Sequence, residues 1–230
     1  MLIEPNTPYK YVYFPEGGIT SVVATSLDNH KIEVGIFGRE GMSGTSLLMG
    51  VDTSPHQTFT QVPGPALRLP TASFEEVIGQ SGSLHRHLLR YVHTFQVQVA
   101  HTALSHGAYG MEARLARWLL MCHDRLDGND IPLIHEFLAL MLGVRRAGVT
   151  ETMHVLEGVH AIKAARGLIT VLDRDKLEEA AGESYGAPEA EYERVIGPIR
   201  KNTISRGRDV EGARRKPRRL RFTPLRLEPH

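Results

Sequence analysis

HEFLALMLGVRRAGVTETMH, residues 135–154, is the stretch that decides how this chain is read. Counted from His135, a small residue stands fifth (Ala139), a glycine ninth (Gly143) and a β-branched apolar residue fifteenth (Val149). Ala139 lets two helices cross closely, and Gly143 suits a turn that calls for a positive φ. Val149 packs the second helix onto the first, which is the spacing of a helix-turn-helix. The exposed start of that second helix carries Arg145 and Arg146, followed by Thr150 and Glu151. These side chains can bond base edges in a major groove, arginine suiting guanine and a carboxylate suiting cytosine. The competing reading is an ordinary helical hairpin with a solvated basic corner.

The residues after the motif support it. Between residues 161 and 172 a basic turn, Lys163-Ala-Ala-Arg166-Gly167, separates two apolar runs, the pattern of a two-stranded wing. Asp173 is placed to cap a helix over 174–181. Upstream, Leu115, Trp118, Leu119 and Cys122 recur at helical spacing over 112–126, and Arg114 and Arg117 are expected on that helix's wet face.

Residues 9–70 read differently. Short apolar runs, Tyr11–Phe14, Ile19–Val23 and Ile32–Ile36, are divided by turn residues such as Pro15-Glu16-Gly17-Gly18 and Asp28-Asn29, as in a small antiparallel roll or barrel. The run Gly38–Gly44 reads as a loop leading into a short helix. From Ala72 the period becomes helical, with an interruption at Gly79–Ser83. Leu84, Leu88, Tyr91, Phe95 and Val99 then recur at three- and four-residue steps. A narrow apolar stripe on a long helix suits a partner helix in a two-fold dimer, or else the subunit's own core.

Composition bounds the possibilities. The chain has 230 residues, 41% of them hydrophobic, enough for two modest domains. No stretch reaches the roughly 18 apolar residues of a membrane helix, and the first residues lack the pattern of a signal peptide. A cytoplasmic protein is expected. One cysteine, Cys122, excludes an internal disulfide, and an iron–sulfur cluster takes about four. The twelve histidines include no set with zinc-ligand spacing. No nucleophile elbow, P-loop or metalloprotease helix is present, so no catalytic residue, metal or cofactor is assigned. The net charge of +1 conceals a division: residues 200–230 hold eleven Lys/Arg against three acids, the preceding 199 hold 16 basic and 23 acidic residues. Such a tail suits polyanions or is simply solvated, and its composition beyond about residue 197 reads as disordered.

Taken in order, Val12-Tyr13-Phe14-Pro15 with Gly18-Ile19, Gly38-Arg39-Glu40-Gly41-Met42, Arg114–Leu120, Leu142–Arg146 with Val149, and Arg166–Ile169 resemble the Crp/Fnr family of bacterial transcription regulators, over about residues 9 to 196. The resemblance implies an α+β fold: an antiparallel, cyclic-nucleotide-binding-like β-roll, truncated at its start (1–73), a long dimerisation helix (74–108), a winged helix-turn-helix (109–182) and a C-terminal extension (183–230). It implies a homodimer on double-stranded DNA, with RNA polymerase as a further candidate partner. Its base-reading positions fall on Arg145, Arg146, Thr150 and Glu151, and Lys163 and Arg166 of the wing are phosphate candidates.

Departures from the family pattern sharpen the expectation. The family's nucleotide cassette sets a glutamate near the short helix and an arginine some way downstream to offset the cyclic phosphate. Here Arg39 and Glu40 are the loop candidates for an effector, but Ser54–Phe59 contains no arginine, so control by cyclic AMP is not expected. The family's opening strands have no counterpart before Met1, which is expected to leave a sheet edge unpaired. Gly148 inside the reading helix weakens it by about 1 kcal/mol relative to alanine, and Thr152 stands where an apolar residue is usual. These last features keep a second function in view, a ligand- or partner-binding signalling module whose helix-turn-helix no longer reads DNA.

Overall fold

The computed structural model describes residues 1–133, 135–199 and 223–227. Strands β1 (Tyr11–Pro15), β2 (Ile19–Thr25), β3 (Lys31–Phe37), β4 (Gln57–Val62) and β5 (Gly64–Pro70) build the N-terminal roll. A 3-10 turn over Thr45–Met49 follows the Gly38–Gly44 loop. Helices α1 (Thr71–Gln80) and α2 (Gly82–Ala108) come next, with Ser81 capping α2 through Leu84 N–H. Then come α3 (Met111–Arg125), β6 (Asp130–Ile131), α4 (His135–Leu142), α5 (Arg146–Gly158), the hairpin β7 (Ile162–Ala165) and β8 (Leu168–Val171), and α6 (Arg174–Ala181). A last helix, α7 (Ala187–Val195), and strand β9 (Thr223–Leu227) complete the described elements.

Among the described residues three antiparallel sheets result, in the orders β1-β5-β9, β3-β2-β4 and β6-β8-β7. The unpaired edge expected of the roll is filled at two places. Leu2 N–H and Ile3 N–H both reach the Thr58 carbonyl of β4, and β9 runs along β5 from Gly64↔Leu227 to Arg68↔Thr223. Pairing satisfies backbone groups that an open edge would leave to solvent, and Pro224 sits on the outermost strand, where a missing N–H is tolerated. The disorder expected beyond about residue 197 is therefore not met at Ile199, which is buried beside Tyr192 in the roll core, nor at 223–227. The remainder of the basic tail, 200–222 and 228–230, lies outside the described residues.

Helix α3 is the axis of the molecule. Every residue from Leu115 to Arg125 is buried, because α3 packs on α6 and α5 and meets the roll. From Leu115 onward it has no wet face, which corrects the placement expected for Arg117, while Arg114 in the first turn is half-buried. Arg117 is 4% exposed and its Nη2 donates to Thr102 Oγ1 of α2 at 3.3 Å. One apolar core runs through both halves: Ile19, Val23, Ile36, Phe59 and Val62 of the roll join Leu115, Leu119, Leu138, Val149 and Ile169.

The stripe Leu88, Tyr91 and Phe95 of α2 also turns inward, packing in the roll core with Phe74 and Val12. The competing, within-subunit reading of that stripe is the one realised. What α2 leaves to solvent is a second stripe, Leu89, His93, Gln96, Ala100, Ala103 and Gly107. Among the described residues no helix is long and apolar enough to cross a membrane.

Candidate nucleic-acid interface

The helix-turn-helix forms as its spacing requires. Gly143 closes α4 at φ +62°, a left-handed conformation that an L side chain adopts only with strain. Val144 N–H then donates to the Ala139 carbonyl at 3.0 Å, while Arg114 of α3 donates to the Leu142 carbonyl and so satisfies an end of α4. Val149 and Met153 are buried against the first helix, with Ala139 packed at the crossing. Thr152, set among these apolar residues, is accommodated by donating its hydroxyl to the Gly148 carbonyl at 2.8 Å. That bond is local and removes the need for a distant partner.

The outer side of α5 is the candidate reading edge. Arg145, at the N-cap position, and Thr150 and Glu151 on the first turns are all exposed. Arg146 opens the helix, and its side chain lies outside the described residues. Lys163 and Arg166 are exposed on the wing, whose turn is made by Gly167 at φ +77°. The wing is fixed to α5: Glu157 of that helix accepts from Ala164 N–H of β7 at 2.8 Å. Asp173 caps α6 by accepting from Lys176 N–H at 3.2 Å. Helix α5 and wing are thus joined into one surface, with Arg145 at one end and Lys163 and Arg166 at the other.

A Cβ built on Gly148 meets no atom within 4 Å. Gly148→Ala is therefore expected to stabilise α5 by about 1 kcal/mol, the helix-propensity difference, and thermal unfolding of the variant checks it.

The loop candidates Arg39 and Glu40 are brought together, but as structural ties rather than as an open ligand site. Glu40 pairs with Arg125 of α3 at 2.7 Å, with side chains 5% and 3% exposed, and its other oxygen accepts from Gly38 N–H at 3.0 Å. Arg39 donates to Asp127 at 2.7 Å and to the Arg125 carbonyl at 2.7 Å. Burial opposes the Arg125 charge, but attraction to Glu40, Asp124 and Glu189 outweighs it and raises its pKa. The cavity beside Glu40, bordered by Tyr91, Gln98, Arg125 and Tyr192, holds about 10 Å³, room for about one water. Tyr192 of α7 closes it, donating its hydroxyl to the Glu40 carbonyl at 2.9 Å.

Sequence reasoning missed this junction and the α7 that seals it. The signal was modest: Pro188 in a helix's first turn, then Tyr192 and Ile196 four residues apart. It also missed Glu33 of β3, buried against α3 with one oxygen accepting from the Trp118 indole N–H at 2.7 Å.

Known proteins share this fold. Residues 113–180 match the model of the Crp-like helix-turn-helix domain. No curated protein sequence matches the chain. Among solved structures, FixK2 from Bradyrhizobium japonicum is similar at a TM-score of 0.68 and 16% identity, over 79% of this chain and 92% of that one. A CRP-family transcriptional regulator from Thermus thermophilus gives 0.66 and 20%, over 81% and 95%. The c-di-GMP responsive global regulator CLP of Xanthomonas campestris gives 0.55 and 17%, over 74% and 88%. At these identities the likeness is one of fold: roll, long helix and C-terminal helix-turn-helix.

Proposed function

We propose, from a chain that carries a Crp-like helix-turn-helix domain within the fold of Crp/Fnr regulators, that this protein is a DNA-binding transcription regulator acting as a homodimer on a pseudo-palindromic site. The observation that carries this reading is the joined surface of α5 and wing, with Arg145, Thr150, Glu151, Lys163 and Arg166 all exposed on it. Arg145, Arg146, Thr150 and Glu151 read base edges, and Lys163 and Arg166 hold phosphates. The dimer seam is the solvent-facing stripe of α2 from Leu89 to Gly107, whose seven-residue repeat of Leu89, Gln96 and Ala103 suits a parallel helix pair. Cyclic AMP is not the effector. Glu40 is committed to Arg125, Ser54–Phe59 offers no arginine, and the cavity beside Glu40 is water-sized.

The test is selection of bound duplexes from a random pool by the purified full chain without added ligand. The expected result is a two-fold consensus with half-sites about 10 base pairs apart. Arg145→Ala with Arg146→Ala should erase the consensus, each lost base contact weakening the preferred site by about 1–3 kcal/mol. Lys163→Ala and Arg166→Ala should lower affinity for all duplexes alike and reduce the salt dependence by about one unit per residue.

The second reading, a signalling module without sequence preference, draws on one observation. The first helix and the turn of the helix-turn-helix are packed against the roll, with Phe137 of α4 stacked on Phe59 at 6.1 Å and Ile32 close beside Gly143. Absence of enrichment in the selection favours that module.

A further inference from the structure

Glu33 is a buried acid that the DNA-binding surface does not use. It stands on β3 of the roll, 4% exposed, facing α3 of the helix-turn-helix half. One carboxyl oxygen accepts from Trp118 Nε1 at 2.7 Å, and the other has no hydrogen-bond partner among the described residues. Among the described residues no arginine pairs with it directly. Arg125 is committed to Glu40, and Arg117 donates to Thr102. Both act on Glu33 only through space, favouring its charge, and Cys122 on the same helix stays a neutral thiol because burial raises its pKa. From β2 the neighbour is the Ser21 hydroxyl, itself donating to Gln61 of β4 at 2.8 Å. Helix α2 meets β3 with the neutral Phe95 and Gln98, the latter bonded to Ile36 N–H at 2.8 Å. Helix α4, the remaining element on β3, has its ionisable residues, His135 and Glu136, in the first turn.

An ionised carboxylate in such a place lacks the two or three donors that water would give it. A protonated one fits, since its carbonyl oxygen still accepts from the indole and no net charge is desolvated. We propose that Glu33 is a proton-operated joint between roll and DNA-binding domain: protonated, it lets β3 and α3 pack together, and ionised, it works that contact apart. The direction of titration agrees. Burial, tempered by Ser21, Trp118, Arg117 and Arg125, pushes the Glu33 carboxyl up from 4.5 to about 7. The closed contact therefore binds the proton more tightly than an opened, hydrated one. Its advantage is full below about pH 4.5 and is lost as pH rises through about 7. Between pH 6 and pH 8 the closed-to-open ratio falls by about tenfold.

Trp118 is the chain's single tryptophan and touches the titrating group, so its fluorescence reports the joint without interference. In the full chain, emission should move to longer wavelength in a one-proton transition centred near pH 7, and Glu33→Gln should abolish it while circular dichroism stays native. A flat emission profile, or the same transition in Glu33→Gln, overturns the proposal. If Glu33→Gln does not fold, Ser21→Ala decides: loss of a neighbouring hydroxyl that can turn from Gln61 toward an ionised Glu33 should raise the midpoint, and an unmoved midpoint overturns the assignment to Glu33. The regulatory half rests on the DNA-binding reading. Affinity for a selected duplex should differ between pH 6 and pH 8 by up to about tenfold in the wild-type chain, and by less in Glu33→Gln. Equal pH dependence in both chains overturns the regulatory role. The fluorescence arm needs no DNA, so a failure of the DNA-binding reading shows itself separately.

Discussion

Arg125→Ala should destabilise the folded chain by about 3–5 kcal/mol, seen as a fall in Tm of about 10 °C for a chain of this size. The size of the effect reflects the groups left behind. Glu40 is 5% exposed on its side chain and loses its one cationic partner among the described residues, at 2.7 Å, which leaves it the backbone donor Gly38 N–H. Arg125 also donates through Nη1 to the Met121 carbonyl at 2.7 Å, a second charge-assisted bond that its removal forfeits. The pair itself is worth much less than this, since two charges were desolvated to make it. Arg125→Met combined with Glu40→Gln should therefore recover most of the loss. Thermal unfolding of the two singles and the double checks the argument. If the double is as unstable as Arg125→Ala, the loss comes from packing of the guanidinium and not from a stranded charge.

Ala103→Glu should convert the proposed dimer to a monomer and lower affinity for a two-half-site duplex by about 10²–10⁴-fold, the range typical of losing a linked second contact. On a two-fold seam the same residue of each copy lies near its twin, so one substitution brings two carboxylates together in a desolvated contact. Ala103 is exposed within the subunit, so the monomer's own stability should change by no more than about 0.5 kcal/mol. Light scattering and a binding titration at fixed salt give both quantities. A variant that stays dimeric with full affinity would move the seam off this face of α2.

The helix-turn-helix was legible because every marker in it has a local cause. Gly143 at φ +62°, the buried Val149 and the cap at Asp173 need no knowledge of the rest of the chain. The long helix was legible as a helix but not in its facing. Leu88, Tyr91 and Phe95 form the stronger apolar stripe, and that strength is spent on the roll core, while the weaker stripe with Ala100 and Ala103 is what remains outside. Periodicity reports that a face is covered without reporting by what. Arg117 and Glu33 were illegible for a related reason. A charged residue between apolar ones reads as solvent-facing when only one layer is expected, yet β3 is covered by α2, and α3 is enclosed by its neighbours. For Arg39 and Glu40 the loop was found, but their partners Asp127 and Arg125 lie more than 80 residues away in sequence, beyond the reach of spacing arguments. The assignments of Arg145, Arg146, Thr150, Glu151, Lys163 and Arg166 as DNA contacts remain proposals that the binding experiments decide.

The apolar core that passes from Ile36 and Phe59 into Leu115 and Leu138 has a consequence for how this chain can be taken apart. Its two halves are modules by sequence but not by surface. Cutting between them would strip the roll side from α3 and leave Leu115, Trp118 and Leu119 facing water, an adhesive patch of the kind that makes fragments aggregate. Recombination would meet the same obstacle: a helix-turn-helix transplanted onto another roll would arrive with a face shaped for this one. Sequence drift on either side is then constrained by the other, so the halves of this protein are expected to have diversified as a couple.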